Sequence, residues 1–146
     1  MKNYTCENID EDLKNIMNFI SLDENKYEYN ENKKFSLKDN EGVVYFIFVF
    51  DTKTKTTNLR YIGKSTGKKF KNRLKNHFFK QDCGTSSKFN SIKKEIDNGN
   101  KVLYSYVTTE PESYRNLLEE ELIKKCKKDK DKDKDKDKLW NYNKDE

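Results

Sequence analysis

Ten basic residues, Lys53, Lys55, Arg60, Lys64, Lys68, Lys69, Lys71, Arg73, Lys75 and Lys80, stand between positions 53 and 80 with no Asp or Glu among them. An acid-free stretch of this length points to an anionic partner, and a phosphate backbone fits it best. Tyr61-Ile62-Gly63 lies inside the run. The flanks differ in charge: residues 1–52 carry six Lys against eleven Asp or Glu, and residues 81–146 carry fifteen of each sign. The net charge of +5 therefore hides a basic excess confined to the middle of the chain. Charge alone is equally compatible with a solvated, lysine-rich helix face.

The elements that must position these side chains can be read from the hydrophobic pattern. Ile9, Leu13, Ile16, Met17 and Ile20 recur at helical spacing behind the acidic turn Asp10-Glu11-Asp12, which predicts a helix over 8–20. Residues 21–40 are polar and predict a loose connector with at most a short strand around 35–37. From Val43 to Phe50 every residue is apolar or aromatic, as in a strand buried on both faces. A polar turn over 51–57 and a second strand over 59–62 complete a hairpin. Ser65 or Thr66 can cap a helix over 67–80 with Phe70, Leu74, His77 and Phe78 on its inner side. A further helix over 86–97, a strand over 102–108 and a long last helix with Pro111 just inside its start follow. The predicted class is α+β, with a small three-stranded, mainly antiparallel sheet flanked by helices. The Lys-Asp alternation over 127–138 has nothing apolar to bury and reads as a low-complexity linker. The aromatic tail over 139–146 is expected to dock and complete the domain.

A chain of 146 residues suits one core, and 32% hydrophobic against 39% charged residues places it at the polar end of globular proteins. No apolar run approaches the roughly 20 residues a membrane helix needs, and no basic-then-apolar leader pattern opens the chain. A soluble, intracellular protein without membrane contact is expected. Cys6, Cys83 and Cys126 are scattered and odd in number, so three reduced thiols are expected; no Cys/His cluster suggests zinc.

Four segments, in order, resemble the GIY-YIG nucleases: Val43-Val44-Tyr45 after Gly42, Tyr61-Ile62-Gly63-Lys64-Ser65, Arg73-Leu74-Lys75-Asn76-His77, and Glu119-Glu120-Glu121-Leu122-Ile123. The chain's single histidine falls at the family's histidine position. The likeness places a nuclease domain over 42–126, preceded by an N-terminal helix and connector over 1–41. It implies a metal-dependent endonuclease that hydrolyses DNA phosphodiester bonds in one step with one Mg²⁺ or Mn²⁺. By that likeness Glu119 ligates the metal, Tyr45 accepts a proton from the attacking water, and Tyr61 positions the water or phosphate. Arg73 neutralises the charge on the pentavalent phosphorus, and His77, one turn on, orients the tyrosine or assists proton transfer. Gly63, Lys64 and Asn143 support the site, with Asn141 the alternative to Asn143. Lys53, Lys55, Arg60, Lys68, Lys69, Lys71, Lys75 and Lys80 are the expected DNA contacts.

Taken one at a time, these residues have simpler readings. The tyrosines suit strands, Arg73 and His77 suit a helix face, and Glu119 could pair with Arg115 one turn back. Helical geometry does not separate Glu119 from Glu121, since both border the stripe of Leu118, Leu122 and Cys126. The first motif has lost its own glycine, and the hairpin is longer than in many relatives. The alternative function is a catalytically inactive nucleic-acid-binding module on the same fold. The sequence leaves the oligomeric state open, monomer or weak dimer, and does not specify which DNA structure is cut.

Overall fold

The strand that the sequence marks as buried on both faces is the middle of the sheet. The computed structural model describes residues 3–79, 88–129 and 139–142. In chain order the elements are β1 (Asn3–Tyr4), α1 (Ile9–Ser21), β2 (Tyr27–Glu28), β3 (Gly42–Asp51), β4 (Thr56–Thr66), α2 (Gly67–Phe78), α3 (Phe89–Asp97), β5 (Lys101–Thr109) and α4 (Tyr114–Asp129). The protein is α+β. The sheet runs β1-β5-β3-β4, with β2 also on β5. Strand β3 is antiparallel to β4 and to β5.

The sheet departs from the three-stranded expectation because β1 and β2 add to the far edge of β5, β1 parallel and β2 antiparallel, giving five strands of mixed direction. Each added strand has two residues, a single repeat of the alternation by which a strand is recognised, and one repeat makes no pattern. No strand forms at 35–37. There the apolar side chains pack instead, the Phe35 ring lying 5.1 Å from that of Phe70.

Alternation along β3 feeds two cores. Val44, Phe46 and Phe48 face α1 and α4, where they meet Ile16, Ile20, Leu118 and Leu122. Val43, Tyr45, Ile47 and Val49 face α2 and α3, where they meet Phe70, Leu74 and Ile92. Between Ile47 and Phe48 the β3–β4 register shifts: Ile47 faces Tyr61, Phe48 faces Leu59, and Arg60 is the extra residue of a bulge.

The helix ends follow local chemistry. Asn8 caps α1, its side chain accepting from the Glu11 N–H at 3.1 Å. Helix α2 follows β4 directly; Thr66 is its first flanking residue but its side chain makes no capping bond. Pro111 lies before α4 rather than inside it: its carbonyl accepts from the Tyr114 N–H at 3.0 Å, in the turn that starts the helix. Lys80, Cys83, Asn143 and most of the Lys-Asp run lie outside the described residues.

Candidate active site

Tyr45 stands opposite Gly63 in the β3–β4 ladder, and the two are packed together. A Cβ on Gly63 would run into the Cζ and Oη atoms of Tyr45, so only glycine leaves room for this ring. Tyr61, two residues earlier on β4, presents its ring to the same face, 6.1 Å from that of Tyr45. Helix α2 covers this face. Phe70, Leu74 and His77 point inward at helical spacing, and Arg73 lies on the flank one turn before His77.

The His77 ring completes a three-ring cluster, 5.7 Å from Tyr45 and 5.2 Å from Tyr61 between centres. Its Nε2 lies 2.8 Å from the Tyr45 hydroxyl, and its Nδ1 accepts from the Lys88 main-chain N–H at 3.0 Å. Tyr45 is fully enclosed, whereas Tyr61 keeps 7% of its surface open. Of the two tyrosines Tyr61 is therefore the less enclosed.

Electrostatics set these groups apart. Burial raises both phenols above the usual tyrosine value, and the Arg73 cation works against that rise in each. Arg73 also hydrogen-bonds Tyr45. The hydrogen bond shared by the two phenols favours the anion on Tyr61 and disfavours it on Tyr45. His77 is pushed down to about 3 by burial, and further by Arg73 and Lys88, so it is neutral near pH 7.

Glu119 reaches the same place from α4, on the opposite layer. Its Oε1 lies 3.5 Å from Lys64 Nζ, and its charge bears on Tyr61. Burial raises the carboxyl above its usual value, while Lys64, Arg73 and Arg115 pull it back. Arg115 makes its ion pair with Glu112 at 2.9 Å, and Glu121 pairs with Lys124, so of the two carboxylates that helical geometry left open it is Glu119 that turns toward the phenols. An open groove of about 470 Å³ runs past Glu119 between Lys64, Asn116, Ile123 and Lys124.

No family model, curated protein or solved structure matches the chain. The site must be read from its own geometry. Tyr45, Tyr61, Arg73, His77 and Glu119 come from β3, β4, α2 and α4 and form one cluster with Gly63 and Lys64. Among the described residues no group of three or more His, Cys, Asp or Glu lies together. Among the described residues of the cluster, Glu119 alone offers hard, half-buried carboxylate oxygens. That set suits a divalent ion that keeps several waters and takes further ligands from a phosphate, as Mg²⁺ does.

The expected DNA contacts divide in two. Lys68, Lys69, Lys71 and Lys75 are exposed along α2, beside the cluster. Lys53 and Lys55 sit in the β3–β4 turn, which Thr52 ties to Gly99 and Asn100 at the other end of the sheet. At about 3.3 Å per strand residue, the turn is roughly 17 Å or more from Tyr61. Arg60 is half-buried in the bulge.

In the tail, Asn141 reaches the cluster's strand. Its side-chain amide donates to the Ile62 carbonyl at 2.7 Å and accepts from the Ile62 N–H at 3.0 Å. Asn143, the other candidate, lies outside the described residues. Sequence reasoning missed Lys88. It is buried, with its ammonium 5.9 Å from the Tyr61 ring centre, and it touches the site also through its main chain. A lone lysine ahead of a short helix carries no pattern that would single it out.

Proposed function

We propose that the protein is a metal-dependent endonuclease that hydrolyses DNA phosphodiester bonds at this cluster, in the manner of the GIY-YIG nucleases it resembles. One observation carries the reading. The rings of Tyr45, Tyr61 and His77, remote in sequence, stand within 6.1 Å of one another between centres, His77 Nε2 lies 2.8 Å from the Tyr45 hydroxyl, and Glu119 comes to the same cluster from the opposite layer beside Lys64. A chance scatter of strand tyrosines and surface charges gives no such convergence.

In this mechanism the scissile phosphate lies over Arg73 and Lys64, between Tyr61 and Glu119. Arg73 offers a planar fork of donors to the charge that builds as water adds to phosphorus. Tyr61 would act as its phenolate, the form that Arg73 and the Tyr45 hydrogen bond favour against burial, and take the proton of that water. Tyr45 stands behind it, a reversal of the order that the resemblance implies, because an enclosed phenol has no path to water. Glu119 would hold the divalent ion, which when bound supplies Lewis-acid stabilisation of the leaving 3′-oxygen. The P–O3′ bond breaks and leaves a 5′-phosphate. The exposed lysines of α2 would track the neighbouring phosphates.

A second reading, a nucleic-acid-binding module without catalysis, is favoured by the thin donor set and by the ammonium of Lys64 on Glu119 at 3.5 Å. Incubation of the full chain with supercoiled plasmid in Mg²⁺, Mn²⁺ or EDTA, beside Glu119→Ala, separates the two. Metal-dependent nicking that the variant lacks supports the endonuclease. Retarded but intact plasmid with every metal and with branched substrates supports the binding module.

A further inference from the structure

We propose that His77 is held as a hydrogen-bond donor to Tyr45, its tautomer fixed by the main-chain amide of Lys88, and that it does not receive the tyrosine proton. The catalytic meaning of this rests on the endonuclease reading; the tautomer itself does not.

The two ring nitrogens have different partners. The Lys88 N–H can only donate, and it points at Nδ1 from 3.0 Å, so Nδ1 carries the lone pair. A neutral imidazole then has its one proton on Nε2, and Nε2 is 2.8 Å from the Tyr45 hydroxyl oxygen. The bond therefore runs from His77 to Tyr45. Accepting a proton would require an imidazolium whose Nδ1–H met the Lys88 N–H head-on.

The surroundings oppose that imidazolium as well. Among the described residues, the titratable groups that face the ring are Tyr45 from β3, Tyr61 from β4, Arg73 from α2 and Lys88 at the entrance to α3; two are cations and none of the four is a carboxylate. A histidine meant to collect a proton is usually given an anion to stabilise its charge. This one is given the reverse.

Lys88 is thus a positioning residue that acts through His77, and His77 is a positioning residue that acts through Tyr45. The polarity has a chemical consequence. With its lone pair occupied by the His77 N–H, the Tyr45 hydroxyl turns its own proton toward Tyr61. Two donors in series then favour negative charge on the outer phenol.

Imidazole nitrogen NMR of the uniformly ¹⁵N-labelled full chain tests this without substrate or metal. The chain has a single histidine, so its ring resonances need no assignment. The expected spectrum shows Nε2 protonated and Nδ1 bare from pH 5 to pH 8, unchanged in Lys88→Ala, which keeps the amide, and in Tyr45→Phe. A protonated Nδ1, rapid exchange between tautomers, or an imidazolium forming near pH 6 would overturn it. If plasmid nicking is present, its rate should also show no acidic limb set by His77. A proton acceptor would give that limb, and its loss would cost roughly 10²- to 10⁴-fold. A failed nicking assay with the expected spectrum discards the endonuclease and keeps the tautomer, and the converse result does the opposite.

Discussion

Gly63 matters through the atom it lacks. The Tyr45 ring fills the place of a Cβ there, so Gly63→Ala should push that ring off its His77 contact. The expected loss is about 1–3 kcal/mol in urea unfolding, the usual cost of overpacking, with a fall in nicking rate larger than stability explains. His77 gives a test in pH. Its ordinary value is 6.5 and its folded value about 3, so between these the unfolded chain binds a proton that the folded chain refuses. Stability contributed by neutral His77 is complete above about pH 6.5 and is lost as pH falls toward 3, at roughly 1.4 kcal/mol per pH unit. Urea midpoints between pH 7 and pH 5 should therefore fall more steeply for the native chain than for His77→Gln. The residues of the cluster differ in how far sequence exposes them. Tyr61-Ile62-Gly63 and the Arg73 to His77 spacing stand out in one dimension. Lys88 acts through a main-chain amide that every residue but proline has, so nothing in its identity marks it.

At the scale of elements, the tail works as a clip on the outer edge of β4. Leu139 enters the core beneath α1 and α4, Trp140 enters the core beneath α2, and Asn141 between the layers satisfies both main-chain groups of Ile62. Such an edge is otherwise open to pairing with another chain. Asn141→Ala should cost about 2 kcal/mol, roughly 1 kcal/mol for each lost bond, and should speed amide exchange at Ile62 and Gly63 ahead of other β4 positions. The long strands and the helices were legible because their periodicity spans several repeats. The two short strands on β5 were not, since two residues have no period and their pairing depends on a remote strand edge. The placement of Pro111 was misleading for a related reason. A proline before a helix suits its first turn and the turn ahead of it alike, and only the Tyr114 amide bond decides between them.

For the whole molecule, the single basic run of the sequence becomes two surfaces, one at the hairpin end of the sheet and one along α2, and only that of α2 adjoins the tyrosines. Lys68→Ala with Lys71→Ala should lower the slope of log affinity against log salt by about 2 on a short duplex, near 0.9 for each phosphate contact released. Lys53→Ala with Lys55→Ala should leave that slope nearly unchanged on a duplex too short to reach the turn; fluorescence anisotropy across a salt series reads both. An equal effect of the two pairs would mean that the duplex lies along the sheet rather than across α2. Among the described residues no helix is long and apolar enough to cross a membrane.

The bulge at Arg60 bears on how the chain tolerates gain and loss of residues. Everywhere else in β4, deleting one residue turns all side chains beyond the cut to the wrong core, because strand faces alternate. Leu59 and Tyr61 face neighbouring residues of β3, Phe48 and Ile47, and Arg60 is the extra position between them. Its removal would leave Leu59 in one core and Tyr61 in the other, with only the twist of the hairpin altered. Length variation in this strand is therefore channelled to a single site, one position before a residue of the candidate active site.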